Sequence, residues 1–145
     1  MRPINEIIVH CAGTRPDWWM SKSPGQKTAE VRRWHTTPPP VGRGWSDVGY
    51  HYLIDRDGRT GTGRLPGRIG AHVMGHNHGT IGICLFGGHD AAATDRFQDH
   101  FTPDQDDALR TLIARLRQNH SIDRVTGHNQ YAATACPGFS VPGWY

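Results

Sequence analysis

The distribution of apolar residues along the chain predicts an alternation of strands and helices. Glu6-Ile7-Ile8-Val9-His10-Cys11 is a short apolar run closed by Ala12-Gly13-Thr14, the pattern of a buried strand. A polar stretch over 13–27, carrying Trp18 and Trp19, separates it from a helix that Thr28 can cap. That helix runs to about Thr36 with Val31 and Trp34 on one side, and Pro38-Pro39-Pro40 ends it. Tyr50–Asp55 predicts a second strand, Arg56-Asp57-Gly58 a hairpin turn, and Arg59–Gly63 a third strand. Thr80–Phe86 is apolar enough to be a central fourth strand.

The clearest helix covers Pro103–Asn119. Thr102 stands at its N-cap, Pro103 at its first position and three aspartates at the positive end of its dipole. Leu109, Leu112, Ile113 and Leu116 form its buried stripe. Asp123–Thr126 reads as a short last strand, followed by a loop over 127–140. No internal repeat or linker interrupts the pattern, so residues 1–145 are expected to form one α/β domain.

Composition narrows the function classes. A chain of 145 residues with 36% hydrophobic and 20% charged residues can build a core and is not expected to be disordered. No apolar run is long enough for a membrane helix. Met1-Arg2-Pro3-Ile4-Asn5-Glu6 places Asn and Glu where a signal peptide needs its apolar core, so synthesis in the cytoplasm of the producing cell is expected. Sixteen basic against thirteen acidic residues give a mild net charge of +3. No helix carries a run of Lys and Arg, so nucleic acid is not an expected partner. Three cysteines do not make a disulfide framework. Ten histidines are the unusual feature.

His10 lies at the end of the first strand, His128 follows the last, and Cys136 lies eight residues later in the same loop. Ends of strands are where an α/β sheet presents functional groups. Two imidazoles and a thiolate are a recognised set for catalytic zinc, which takes three protein ligands and keeps a fourth position open. Taken singly, Cys136 reads more readily as a small buried hydrophobe, and either histidine as a surface or satisfied core residue. Two other chemistries are excluded. His76-Asn77-His78 spells the letters of a nuclease motif, but those nucleases disperse the three residues over a ββα unit. A zinc deaminase needs His-Xaa-Glu followed by Pro-Cys-Xaa-Xaa-Cys, and neither is present.

Four segments, in order, carry a resemblance: Ile8-Val9-His10-Cys11-Ala12, Gly44-Trp45-Ser46-Asp47-Val48-Gly49-Tyr50-His51-Tyr52, Thr80-Ile81-Gly82-Ile83-Cys84-Leu85-Phe86-Gly87-Gly88, and Gly127-His128 with Ala135-Cys136-Pro137-Gly138-Phe139. Together they resemble the type 2 N-acetylmuramoyl-L-alanine amidases, which include phage amidase-type lysozymes and the peptidoglycan recognition proteins. The likeness runs over about 7–140. It implies a central mixed β-sheet flanked by α-helices, with one zinc ion per chain in a surface groove held by His10, His128 and Cys136. It implies a zinc-dependent peptidoglycan amidase of the phage endolysin kind, cutting the amide between N-acetylmuramic acid and L-alanine of the stem peptide.

The resemblance also assigns finer roles. Tyr50 falls on the family's active-site tyrosine. Thr134, two residues before the cysteine, stands where many phage and bacterial members carry lysine and where catalytic recognition proteins carry threonine. Tyr50 and Thr134 hydroxyls are thus candidate donors to the tetrahedral oxyanion. His72 and Asn77 have the spacing of muropeptide-contacting positions, although Asn77 can equally shape a turn and His72 can be an ordinary loop histidine. Trp18 and Trp19 can stack on a sugar ring or pack back onto the domain, and Trp45 suits the core or a groove wall. The expected partner is bacterial peptidoglycan, met by a monomer after a separate protein has permeabilised the membrane. The alternative is a peptidoglycan-binding module without catalysis, a kind that typically lacks the cysteine ligand. Some phage lysozymes of this type also bind a phage RNA polymerase, a second role that the resemblance allows.

Overall fold

The computed structural model describes residues 2–145. Five strands form one sheet: β1 (Glu6–Cys11), β2 (Tyr52–Ile54), β3 (Thr60–Thr62), β4 (Thr80–Leu85) and β5 (Arg124–Gly127). Their spatial order is β3-β2-β4-β1-β5. β1 pairs in parallel with β4 and β5, β2 pairs in parallel with β4, and the β2–β3 hairpin is antiparallel. The sheet is therefore mixed, with β4 and β1 at its centre. Every residue of β4 is buried, the expected state of a parallel strand covered on both faces.

The period-2 alternation of the strands sorts their side chains between two cores. On one face Ile7 and Val9 of β1, with Ile81, Ile83 and Leu85 of β4, pack against Leu109, Leu112, Ile113 and Leu116 of α3 (Pro103–Asn119, following α1 at Pro24–Thr36 and α2 at Phe97–His100). On the other face Leu53, Cys84 and Phe86 pack against Val31 of α1, with Trp18, Trp34 and Tyr50 at the margin. His10 follows Val9, so parity turns it away from α3 and onto this second face. A short C-terminal helix α4 (Val141–Trp144) completes the chain. Among the described residues, no helix is long and apolar enough to cross a membrane.

The first helix starts earlier than its pattern predicts. It begins at Pro24, not after Thr28, and Thr28 is buried inside it. Ser23 is the cap: its hydroxyl accepts from the Gln26 N–H at 3.2 Å, and the Gln26 side-chain oxygen accepts from the Ser23 N–H at 2.9 Å. Thr102 and Gln105 make the same reciprocal pair at the start of α3. Ser23-Pro24-Gly25-Gln26 and Thr102-Pro103-Asp104-Gln105 are thus two copies of one capping box, and the first is visible in the sequence once the second is understood. β2 is also shorter than its apolar run, so Tyr50 and His51 lie in the approach to the strand. α2 and α4, four residues each, carry no helical periodicity of their own.

Candidate metal centre

Three segments distant in sequence deliver the site. β1 supplies His10, buried at 1% exposure. The end of β5 supplies His128, which opens a 3-10 turn over His128–Gln130. The following loop supplies Cys136. One ligand atom from each of His10, His128 and Cys136 lies within 4.8 Å of the others. The His10 and His128 rings stand 4.8 Å apart between centroids, and Cys136 Sγ lies 3.8 Å from His10 Nδ1.

The loop that carries His128 and Cys136 is fixed from below by a buried carboxylate. Glu6 accepts from Thr126 Oγ1 at 2.6 Å and from Arg124 at 2.9 Å, and also from the hydroxyl of Tyr131. Asn129 closes the loop from within by donating to the Phe139 carbonyl at 3.2 Å. The Cys11 N–H donates to Cys136 Sγ at 3.3 Å, tying the thiol to β1.

Electrostatics prepares these groups for a cation. Burial, reinforced by His72 and His128, holds His10 well below the ordinary imidazole range, and burial lowers His128 as well. Both rings are therefore neutral near pH 7, each with one bare nitrogen. Cys136 is pushed strongly up, first by its hydrogen bond with the Cys11 thiol and then by burial. A thiolate there needs a positive charge beside it, which a divalent ion supplies. Two neutral imidazoles and one such thiol suit zinc, with a fourth position left for reactant.

Tyr50 lies beside this cluster, its ring centroid 5.1 Å from that of His10. Burial first, then the neighbouring cysteines, raises its phenol well above its usual value, so it stays a hydrogen-bond donor. A groove of about 380 Å³ opens here, lined by Tyr50, His72, Asn77 and His128 together with His35 and Trp45. Thr134 is placed differently. It lines an adjacent depression with Ala93, Asn129 and Ser140, and its Oγ1 accepts from the Cys136 N–H at 3.3 Å. One hydroxyl proton remains to be donated.

The remaining expectations are also located. Asn77 Oδ1 accepts from the N–H groups of His72 and Val73 at 2.9 Å each, so its oxygen shapes the turn while the residue borders the groove. His72 is buried at 8% exposure, and its ring faces His10. Trp18 packs back on Phe86 and Trp34, with Trp19 stacked on it at 8° and 40% exposed. Trp45 is a groove wall, capped by the Arg43 guanidinium 5.0 Å from its ring. His35 lines the groove, although no motif in the sequence singles it out. It lies four residues after Val31, on the buried side of α1, which was its only signal in the sequence. Its Nδ1 accepts from the Gly49 N–H at 2.9 Å.

Buried neutral histidines make stability pH-dependent. Burial holds His35 and His51 at about 4 and His72 at about 3. The unfolded chain takes up these protons near pH 6.5, so it binds more protons than the folded one from there down to the folded values. The stabilisation is complete above pH 6.5 and is lost as pH falls toward 4. Melting temperature, followed by circular dichroism from pH 7.5 to 4, is expected to fall steadily below 6.5. A flat profile over that window contradicts the assignment of these rings as neutral.

Comparison with known proteins adds independent information. A family model described as N-acetylmuramoyl-L-alanine amidase matches residues 1–139. The endolysin of Escherichia phage T7 is 38% identical over 139 residues, spanning 96% of this chain and 83% of that protein. The solved structure of the N-acetylmuramoyl-L-alanine amidase LysC from Clostridium intestinale URNW superposes with a TM-score of 0.71 at 25% identity, covering 98% of this chain and 81% of that one. Wild-type Drosophila PGRP-LB gives 0.71 at 28% identity, covering 95% and 76%.

Proposed function

We propose that this chain, which belongs to the N-acetylmuramoyl-L-alanine amidase family, performs that family's hydrolysis with one zinc ion held by His10, His128 and Cys136. The enzyme is a peptidoglycan amidase of the phage endolysin type. Residues 1–145 act as one amidase domain. The observation that carries the metal assignment is the convergence of two neutral imidazoles and a thiol beside a groove that His128 lines. Cys136 also weighs against a purely binding role, since a recognition module has no use for a third ligand.

The reaction divides among few groups. When bound, zinc supplies Lewis acidity, polarising the amide carbonyl and making water a competent nucleophile near neutral pH. His10 and His128 would hold the ion as neutral ligands. Tyr50, kept protonated by burial, donates to the carbonyl oxygen as negative charge gathers there. Thr134 donates its free hydroxyl proton toward the same charge while its oxygen holds the Cys136 N–H. The groove beside His128 receives the sugar–peptide junction, with Asn77 and Trp45 as walls. Water attacks the carbonyl carbon and the C–N bond breaks: the water oxygen stays on the lactyl group as a carboxylate, and a proton from that water passes to the L-alanine nitrogen, which departs as an amine.

Digestion of purified bacterial wall tests the bond assignment. New L-alanine amino termini without new reducing sugar ends are expected. Reducing ends without amines mean a glycosidase and overturn the reading.

The two hydroxyl donors give a second test. Tyr50→Phe is expected to lower turnover by roughly 10²-fold with zinc content unchanged. Thr134→Val, which keeps the branched shape and removes the donor, is expected to do the same. Their double variant should lose less than the product of the two, because both serve one oxyanion. If Thr134→Val lowers only stability or zinc occupancy and leaves turnover per bound zinc intact, Thr134 is a turn cap and leaves the mechanism.

A further inference from the structure

His10 reaches the cluster through one nitrogen, and what its other nitrogen does is decided deeper in the protein. His10 Nδ1 is the atom facing Cys136, at 3.8 Å from the sulfur. His10 Nε2 points the other way and lies 2.9 Å from His72 Nδ1. The two rings meet edge-on, at 87° with centroids 5.0 Å apart. On its far side His72 Nε2 lies 3.2 Å from Thr80 Oγ1. The Thr80 hydroxyl in turn lies 3.0 Å from the carbonyl oxygens of both His76 and Asn77.

Proton placement along this column is determined from either end. A hydroxyl has one proton, and the two carbonyls can only accept, so Thr80 donates to them and accepts from His72. His72 therefore carries its proton on Nε2 and offers a lone pair at Nδ1. That lone pair accepts the proton of His10 Nε2, which leaves His10 Nδ1 bare. Starting from the other end, a metal at Nδ1 requires the His10 proton on Nε2, and the same sequence runs back to Thr80. Both directions give one tautomer for each ring.

The His72 ring is also seated by the backbone around it. A Cβ on Gly82 of β4 or on Gly70 would lie 2.7 Å from His72 Cδ2. Glycine at these two positions leaves the slot in which the ring stands. The N–H groups of His72 and Val73 are pinned by Asn77 Oδ1, so the turn that carries the ring is itself held. His51, whose ring is 5.9 Å away, does not compete: its Nδ1 accepts from the Gly82 N–H and its Nε2 donates to the Arg68 carbonyl.

We propose that His72 is a positioning residue of the metal centre, which together with Thr80 fixes the tautomer and orientation of His10 so that a bare Nδ1 faces the metal. The proposal rests on the zinc reading above. It gives His72 a different task from the muropeptide contact implied by family resemblance, and the two tasks have different consequences. A hydrogen bond to the distal nitrogen of a ligating histidine holds the ring in register and raises its basicity, and losing such a partner typically weakens metal binding 10- to 100-fold.

The test measures zinc affinity of the full chain by competition with a chromophoric chelator, alongside the absorption spectrum of the cobalt-substituted protein. His72→Ala is expected to bind zinc roughly 10- to 100-fold more weakly, with altered cobalt bands. His72→Asn places an amide oxygen where Nδ1 stood and is expected to restore most of the affinity. Thr80→Val, which removes the acceptor for His72 together with the proton given to the His76 and Asn77 carbonyls, is expected to weaken zinc in the same direction by less. If His72→Ala does not fold, the contrast between His72→Asn and Thr80→Val reads the same column. Unchanged zinc affinity and cobalt spectrum in His72→Ala, with a raised KM, would overturn the proposal in favour of substrate contact. A wild-type chain that binds no zinc sinks the metal reading itself, whereas wild-type zinc binding with indifferent variants sinks only the role of His72.

Discussion

Cys136→Ala is expected to remove the zinc ion and reduce turnover to the uncatalysed background, with the fold retained. Three protein ligands hold a catalytic zinc, and two cannot fix its position or keep its geometry open toward substrate. The sulfur is also the only donor in the set that contributes negative charge. Without it the remaining pair, His10 and His128, are neutral imidazoles that hold a dication weakly. His10→Ala and His128→Ala are expected to act alike, since one atom from each completes the cluster. The loop need not collapse in Cys136→Ala, because Glu6 and Asn129 secure it independently of the metal. Metal content per chain and release of amino termini from wall, measured on the same samples, check this. Full turnover in any of the three variants with metal absent contradicts the site.

The second large effect concerns stability. Lys27 of α1 and Asp55 after β2 form an ion pair at 2.6 Å, with side-chain exposures of only 3% and 5%. Asp55 Oδ1 also accepts from the Arg56 N–H at 2.8 Å, and the Lys27 ammonium lies 5.7 Å from the centre of the Phe86 ring. Removing one partner leaves a charge buried without compensation. Lys27→Met or Asp55→Asn is therefore expected to destabilise the protein by about 3–5 kcal/mol. For a chain of this size that is a drop of roughly 10–16 °C in Tm. The double variant Lys27→Met with Asp55→Leu is expected to recover much of the loss, because an apolar pair of similar volume avoids the desolvation of two charges. Zinc content and turnover below the melting range should be unaffected in all three. A loss under about 1 kcal/mol in both single variants would mean that water reaches the pair.

Much of the framework was legible because it is written locally. β1 is an apolar run closed by Gly13, β4 one bounded by Gly79 and Gly87, and α3 has a cap, a dipole bias and a stripe within one contiguous segment. The start of α1 departs from the pattern because its residues are polar: Lys27 and Thr28 are buried, yet only the contact with Asp55, 28 residues away, explains why a lysine can be there. The apolar pattern carries β2 two residues too far toward its start, although Tyr50 and His51 still exchange backbone hydrogen bonds with Arg64, Gly63 and Gly82. The proposed metal ligands came from the family resemblance that the order of motifs carries, and the structure brings those three residues together. The column behind them could not be read that way. His72 meets His10 across 62 residues, and its hold by Thr80 depends on a turn whose closing residue, Asn77, looks like any loop asparagine. Short polar contacts between distant segments leave no periodicity in a sequence, and they decide which nitrogen of His10 is free.

The most direct test of the account is the position of the metal. Crystals of the zinc-loaded protein, with diffraction recorded on either side of the zinc absorption edge, give an anomalous difference map in which only zinc contributes the change. One peak per chain is expected, about 2.0–2.1 Å from His10 Nδ1 and from a ring nitrogen of His128, and about 2.3 Å from Cys136 Sγ. A fully loaded protein whose peak lies away from these three atoms, or is held by only one of them, contradicts the central claim.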